Sequence, residues 1–121
     1  MHARQRLGRT GEDLAVAYLV DDGWRVLDRN WFAADGELDV VGLDVAADAV
    51  VGVEVKTRRT ATFGSPAEAV TRGKVHRMRR LLATWLAEHD VHAAEARLDV
   101  VAITLAPGAP PLLEHLRGVD R

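Results

Sequence analysis

A valine-rich stretch that contains two charged side chains constrains the fold of this chain more than any other feature. Residues 50–57 read VVGVEVKT, and this density of β-branched residues is typical of a β-strand. Residues 37–43, ELDVVGL, form a second stretch rich in valine and leucine, and the connection at 44–49 is short. A short connection favours a hairpin, so the two stretches are predicted to be neighbouring antiparallel strands.

Two helices are predicted from their capping residues and their apolar spacing. Thr10, with an acidic residue three positions later, is typical of an N-cap, and the first helix is expected to end near Gly23. Ser65 followed by Pro66 marks the start of the second helix, with a break expected near Arg72. Apolar residues recur at helical spacing in its second part: Val75, Met78, Leu82, Trp85 and Leu86.

Further strands complete the predicted fold. Residues 24–31 alternate between apolar and charged, and residues 97–105 contain the continuous apolar run of a central strand buried on both faces. Residues 112–116 are expected to add a short edge strand. The order α-β-β-β-α-β predicts an α/β fold with a mixed central sheet flanked by helices. The 121 residues suit one domain, with a core at about 8–105 and a C-terminal strand or tail at 106–121.

The composition excludes several kinds of site and partner. The chain has no cysteine, so it can form neither a disulfide nor a thiolate metal site. The basic residues at the start are not followed by an apolar segment, and no apolar run has the length of a bilayer span. We therefore expect a cytoplasmic protein with no membrane partner.

Basic clusters favour a nucleic-acid partner although the formal net charge is −2. Arg58 and Arg59 directly follow the valine-rich strand, while Lys74 and Arg77 lie on the predicted second helix. Because screening confines charge effects to roughly 8–10 Å, a local basic surface can attract phosphate on an acidic protein. The alternative for each cluster is a solvated loop or helix face.

The two hairpin strands place acidic residues beside a lysine. Side chains alternate along a strand, so Glu54 and Lys56 share one face, as do Glu37 and Asp39 on the partner strand. Neighbouring carboxylates repel each other unless a cation lies between them, and an all-oxygen set favours Mg²⁺ or Mn²⁺. Such an ion with Lys56 would suit phosphodiester hydrolysis, and Glu12 could complete the site. A salt bridge between Glu54 and Lys56 on an exposed strand is the alternative.

Short motifs along the chain add a family resemblance. They are Gly11-Glu12-x-x-Ala15, Arg29-Asn30, Gly36-Glu37-Leu38-Asp39, Val53-Glu54-Val55-Lys56-Thr57-Arg58-Arg59, Phe63-Gly64-Ser65-Pro66 with Glu68-Ala69-Val70, Lys74 and Arg97-Leu98-Asp99-Val100. In this order and spacing they resemble the UPF0102 (YraN-like) family, predicted endonucleases of the PD-(D/E)XK, restriction-endonuclease-like fold. The resemblance covers about residues 8–104.

The resemblance implies a role for each matching residue. Asp39 and Glu54 resemble the metal-binding acids, Lys56 the catalytic lysine, and Glu12 the first-helix glutamate that Holliday-junction resolvases of this superfamily also use. The implied substrate is DNA, with branched or junction DNA among the candidates, and the implied assembly is a homodimer. A nucleic-acid-binding module that does not cut and a protein-interaction domain with a vestigial site are the alternative hypotheses.

Overall fold

The computed structural model describes residues 3–60 and 64–121. Its elements are α1 (Ala3–Asp21), β1 (Arg25–Ala33), β2 (Gly36–Asp44), β3 (Ala49–Arg58), a 3₁₀ turn (Pro66–Ala69), α2 (Arg72–Glu88), β4 (Glu95–Thr104) and β5 (Leu112–Leu116). The predicted α/β fold is therefore confirmed, including the fifth, C-terminal strand.

The five strands form one mixed sheet in the order β1-β2-β3-β4-β5. Strands β1 to β3 are joined by antiparallel hairpins, and the hairpin of β2 and β3 is the one that their short connection predicted. Strand β4 runs parallel to β3, which requires a crossover, and α2 provides it. Every residue of β4 from 97 to 104 is buried, in agreement with its predicted central position. Strand β5 pairs antiparallel with β4 at the edge.

The two helices cover opposite faces of the sheet, and the valines of β3 reach both. Val51 and Val53 pack in the cluster that α1 completes with Ala15 and Leu19. Val50 packs in the other cluster. Helix α2 contributes four buried residues to that second cluster: Met78, Leu81, Leu82 and Trp85. Strand β3, which carries Glu54 and Lys56, thus lies between two apolar layers.

Gly11 brings α1 unusually close to β3. A Cβ atom built on Gly11 would overlap the side chain of Thr57, so only glycine permits this approach. Glu12 follows directly on α1, and its side chain is only 13% exposed. The close packing therefore carries Glu12 towards the end of β3, where the candidate site lies.

Both helix starts differ from their predicted positions. Helix α1 begins at Ala3, so Thr10 lies inside it and is not an N-cap. Ser65 makes no side-chain cap hydrogen bond; Thr71 caps α2 instead, because its hydroxyl accepts the Lys74 N–H at 3.2 Å. The predicted break falls just before α2, and Phe63 of the quoted motif lies outside the described residues. Among the described helices, none is both long and apolar enough to cross a membrane.

Candidate metal centre

Asp39 lies where strands β2 and β3 separate. Their backbone pairing ends at Val40 and Val53, so the next part of β3 lacks a strand partner on that side. The Asp39 carboxylate takes the place of that missing strand partner, because its Oδ2 accepts the Val55 N–H at 2.7 Å. This bond fixes a half-buried carboxylate at the fork of two strands.

Two clefts meet at Asp39. The helix 1 cleft, of about 340 Å³, is lined by Leu7, Gly8, Glu12, Asn30, Glu37, Asp39, Val55, Lys56 and Thr57. The helix 2 cleft, of about 280 Å³, is lined by Gly36, Glu37, Leu38, Asp39, Val53, Glu54, Arg77 and Met78. Glu37 and Asp39 belong to both clefts. Glu12 and Lys56 thus line one of the clefts that contain Asp39, and Glu54 and Arg77 line the other; Lys56 also lines a further cavity of about 460 Å³.

The ionised form of Asp39 is electrostatically unfavourable. Burial is the largest of the effects that together raise the pKa of Asp39 from 3.8 to about 6, although the Val55 N–H opposes the shift. Repulsion from Glu37, Glu54 and Glu12 contributes to the same rise. A cation at Asp39 would remove this cost, because it would neutralise the carboxylate that burial and its neighbours disfavour.

The donor set suits an ion that keeps part of its water shell. Across residues 3–60 and 64–121, no three acidic or histidine side chains converge closely enough to hold a metal ion alone. Mg²⁺ usually takes one or two carboxylates and fills its other positions with water and substrate phosphate. Asp39 and Glu54 match that requirement, since both are oxygen donors lining the helix 2 cleft.

Lys56 is exposed at the rim of the helix 1 cleft, two residues beyond Glu54 on β3. No ion pair between described residues joins it to Glu54, so the salt-bridge alternative is not formed. The Lys56 ammonium is therefore free of that acid and lies at the edge of a cleft that contains Asp39.

Comparison with known proteins places the chain in a family. The model of the uncharacterised protein family UPF0102 matches residues 11–103. The chain belongs to the UPF0102 family. A UPF0102 protein of Beutenbergia cavernae is 50% identical over 98% of this chain and 99% of its own length. Relatives of Mycobacterium sp. (strain KMS), 53% identical over 96% and 86%, and Paenarthrobacter aurescens, 44% identical over 98% and 97%, are similar throughout.

The matched UPF0102 region contains every acid and the lysine of the candidate site. Membership of this uncharacterised family assigns no reaction to the chain. Glu37 also belongs to the candidate site, whereas the sequence indicates only that it shares a face with Asp39. Its position in both clefts and its effect on Asp39 are the reasons to include it.

The four basic candidates differ in their surroundings. Arg77 lines the helix 2 cleft beside the acids, and Arg59 is exposed just after β3. Arg58 instead donates to Thr104 Oγ1 at 3.2 Å and to the Gly64 carbonyl at 2.9 Å. Lys74 donates to the Ala69 carbonyl at 3.1 Å, which ties the 3₁₀ turn to α2. Of these four basic residues, Arg77 is the one that lines a described cleft together with Glu37, Asp39 and Glu54.

Asp99 and its partners form a separate, buried network. Arg97 donates to both oxygens of Asp99, at 2.9 and 3.0 Å. His115 Nε2 lies 2.7 Å from Asp99 Oδ2, and Tyr18 Oη lies 2.8 Å from His115 Nδ1. Because this network joins α1, β4 and β5 and Asp99 is fully buried, it serves the fold rather than the clefts.

Proposed function

We propose that this UPF0102 protein is a metal-dependent endonuclease that hydrolyses phosphodiester bonds in DNA. One observation supports this most directly: the half-buried Asp39 carboxylate lines one cleft with Lys56 and another with Arg77, and burial and three neighbouring acids disfavour its ionised form. Acids that can bind a metal ion, together with a lysine and an arginine, are groups that can promote phosphodiester hydrolysis.

In this proposal each side chain has a distinct task. Asp39 and Glu54 would hold Mg²⁺ or Mn²⁺, and the bound ion would polarise a phosphoryl oxygen and activate water for attack. Lys56, at the rim of the helix 1 cleft, would orient that water or stabilise developing negative charge. Arg77, on the wall of the helix 2 cleft, would bind the phosphate and hold the strand in place.

A nucleic-acid-binding module that does not cut is the second candidate. It is favoured by the finding that no three acidic or histidine side chains of the described chain enclose an ion. Such a module would retain Arg77 and Arg59 as phosphate contacts, and its affinity would fall steeply with salt. Binding without metal-dependent turnover would support this candidate over the first.

The deciding experiment measures cleavage of supercoiled plasmid, linear duplex and branched DNA with Mg²⁺, with Mn²⁺ and with a chelator. Asp39→Asn and Lys56→Ala are compared with Asp90→Asn, an exposed acid outside both clefts. We expect metal-dependent cleavage that both site variants lose and the control keeps. Cleavage that survives both Asp39→Asn and Lys56→Ala would exclude this site.

A homodimer is part of the proposal because two antiparallel DNA strands are related by a two-fold axis. Symmetric cutting of both strands requires two sites related in the same way. Sedimentation velocity with and without branched DNA tests this. A monomer that makes paired cuts at symmetric positions would contradict it.

A further inference from the structure

We propose that Arg29 and Asn30 are positioning residues that fix which oxygen of Glu12 faces the metal site. This inference rests on the proposed function, since it concerns the metal that Asp39 and Glu54 would hold. Glu12 Oε1 accepts three hydrogen bonds: from Arg29 Nε at 3.2 Å, from Arg29 Nη2 at 3.0 Å and from Asn30 Nδ2 at 2.9 Å. Those donors occupy Oε1, so Oε2 is the oxygen left for a bound ion or its water.

The backbone of β1 is shaped to present this amide. Asn30 has a φ of 50°, a left-handed conformation that asparagine tolerates better than most residues. The pairs Arg29–Val40 and Trp31–Leu38 of β1 and β2 share one register, so Asn30 lies opposite Asp39. The left-handed residue of β1 is therefore at the level of the candidate metal ligand.

Arg29 adds a charge that reaches Glu12 from outside the cleft. Its side chain is 38% exposed, whereas that of Glu12 is 13% exposed, and its Nη2 also lies 2.7 Å from Asp13 Oδ1. Asp13 is itself 60% exposed. Arg29 thus bridges a solvent-facing acid and the acid that lines the helix 1 cleft. Asn30 lines that cleft and donates to the same Glu12 oxygen, so two consecutive residues of β1 restrain the carboxylate.

Groups that orient a metal ligand commonly change metal affinity by about 10- to 100-fold when they are removed. A tether that only joins α1 to β1 would instead change the stability of the fold and leave the metal affinity unaltered. Metal affinity, measured without any DNA, therefore separates a positioning role from a structural one.

The experiment titrates Mn²⁺ into the full chain by calorimetry and by electron paramagnetic resonance. The variants are Arg29→Gln and Asn30→Gly, the latter because glycine keeps the left-handed backbone while removing the amide. Asp13→Asn is the matched control, since it weakens the other contact of Arg29 and leaves the Glu12 donors in place. We expect the Mn²⁺ Kd to rise about tenfold or more in both variants and to stay unchanged in the control.

A double-mutant cycle completes the test. If Arg29 and Asn30 act through Glu12, then Glu12→Gln should weaken Mn²⁺ binding, and adding Asn30→Gly to it should cause little further loss. Wild-type affinity in Arg29→Gln and Asn30→Gly, or additive losses in the double variant, would overturn the inference while leaving the metal site intact. Failure of the wild-type chain to bind Mn²⁺ would instead overturn the proposed function together with the inference.

Discussion

Asp39 Oδ2 accepts the backbone N–H of Val55 at 2.7 Å, so the candidate metal ligand also completes the pairing of the two strands that carry the site. The hydrogen bond that fixes this carboxylate is thus made where the pairing of β2 with β3 ends. A substitution that removes the charge of Asp39 but keeps an acceptor oxygen should separate the electrostatic role of this residue from its structural role.

Asp39→Asn is expected to stabilise the metal-free protein above pH 6. Burial and the neighbouring acids raise the pKa of Asp39 from 3.8 to about 6 on folding, so the folded state binds this proton more tightly than the unfolded state. The ionised carboxylate therefore destabilises the fold, by an amount that grows from about pH 4 to about pH 6. Urea unfolding at pH 8 should show a gain of about 2–3 kcal/mol, since each pH unit corresponds to about 1.4 kcal/mol.

At pH 4 the free energies of unfolding of the wild-type chain and Asp39→Asn should differ little, because Asp39 is then mostly protonated in the folded state. The exposed acid Asp90 provides the control, and Asp90→Asn should leave the free energy of unfolding unchanged at both pH values. Equal effects of Asp39→Asn at pH 4 and pH 8 would mean that the substitution acts through packing or hydrogen bonding instead.

Mn²⁺ is expected to offset the stability difference between the wild-type chain and Asp39→Asn. A ligand that binds only the folded state at 100 times its Kd stabilises that state by about 2.7 kcal/mol. The melting temperature of the wild-type chain should therefore rise with Mn²⁺ at pH 7.5, and the rise should shrink below about pH 6 as protons compete for Asp39. Asp39→Asn should show a much smaller rise at either pH. A metal response that is the same in both proteins would place the ion elsewhere.

The strands of this site could be predicted from the sequence, whereas the positions of its neighbours could not. Valine density and a short connection define β2 and β3 because those signals are local. The conformation of Asn30 is not a local signal, since its left-handed backbone accompanies contacts with Glu12, which is 18 positions away. The sequence places Arg77 on the second helix, but only the crossover of α2 brings this residue beside β2.

The starts of the two helices likewise could not be predicted from local capping signals alone. Capping residues suggested a start at Thr10, yet α1 extends to Ala3 through residues that are mostly good helix formers. Ser65 and Pro66 suggested the start of the second helix, yet they precede a 3₁₀ turn and Thr71 supplies the cap. A capping motif indicates where a helix can begin, and neighbouring propensity and packing determine where it does begin.

Asp99→Ala is expected to destabilise the fold strongly at neutral pH. Burial of Asp99 opposes its ionisation, but the hydrogen bonds from His115, Arg97 and Gly118 outweigh burial and lower its pKa. Its removal would leave Arg97, which is 8% exposed, without its main partner, and breaking such a buried pair costs about 3–5 kcal/mol. Chemical unfolding measures the loss.

The pH dependence of this loss follows from the direction of the shift. A lowered pKa means that the carboxylate contributes stability above about pH 4 and loses that contribution as the pH falls through its folded value. The matched control is Asp22→Asn, which removes an ion pair with Arg117 whose side chains are both 46% exposed. Such an exposed pair contributes about 1 kcal/mol or less, so an equal effect of the two variants would contradict the role given to Asp99.

Gly11→Ala is expected to weaken both the fold and the metal site, although alanine is the better helix former by about 1 kcal/mol. The added Cβ would lie 2.8 Å from Thr57 Cβ, an atom fixed to the β3 backbone, so α1 would have to move away and take Glu12 with it. Overpacking of this kind costs about 1–3 kcal/mol.

Gly8 is the internal control, because it lies on the same helix and a Cβ there would meet nothing within 4 Å. Gly8→Ala should therefore raise the free energy of unfolding by about 1 kcal/mol, whereas Gly11→Ala should lower it and weaken Mn²⁺ binding. If both variants stabilise the protein equally, the close packing of α1 on β3 does not position Glu12.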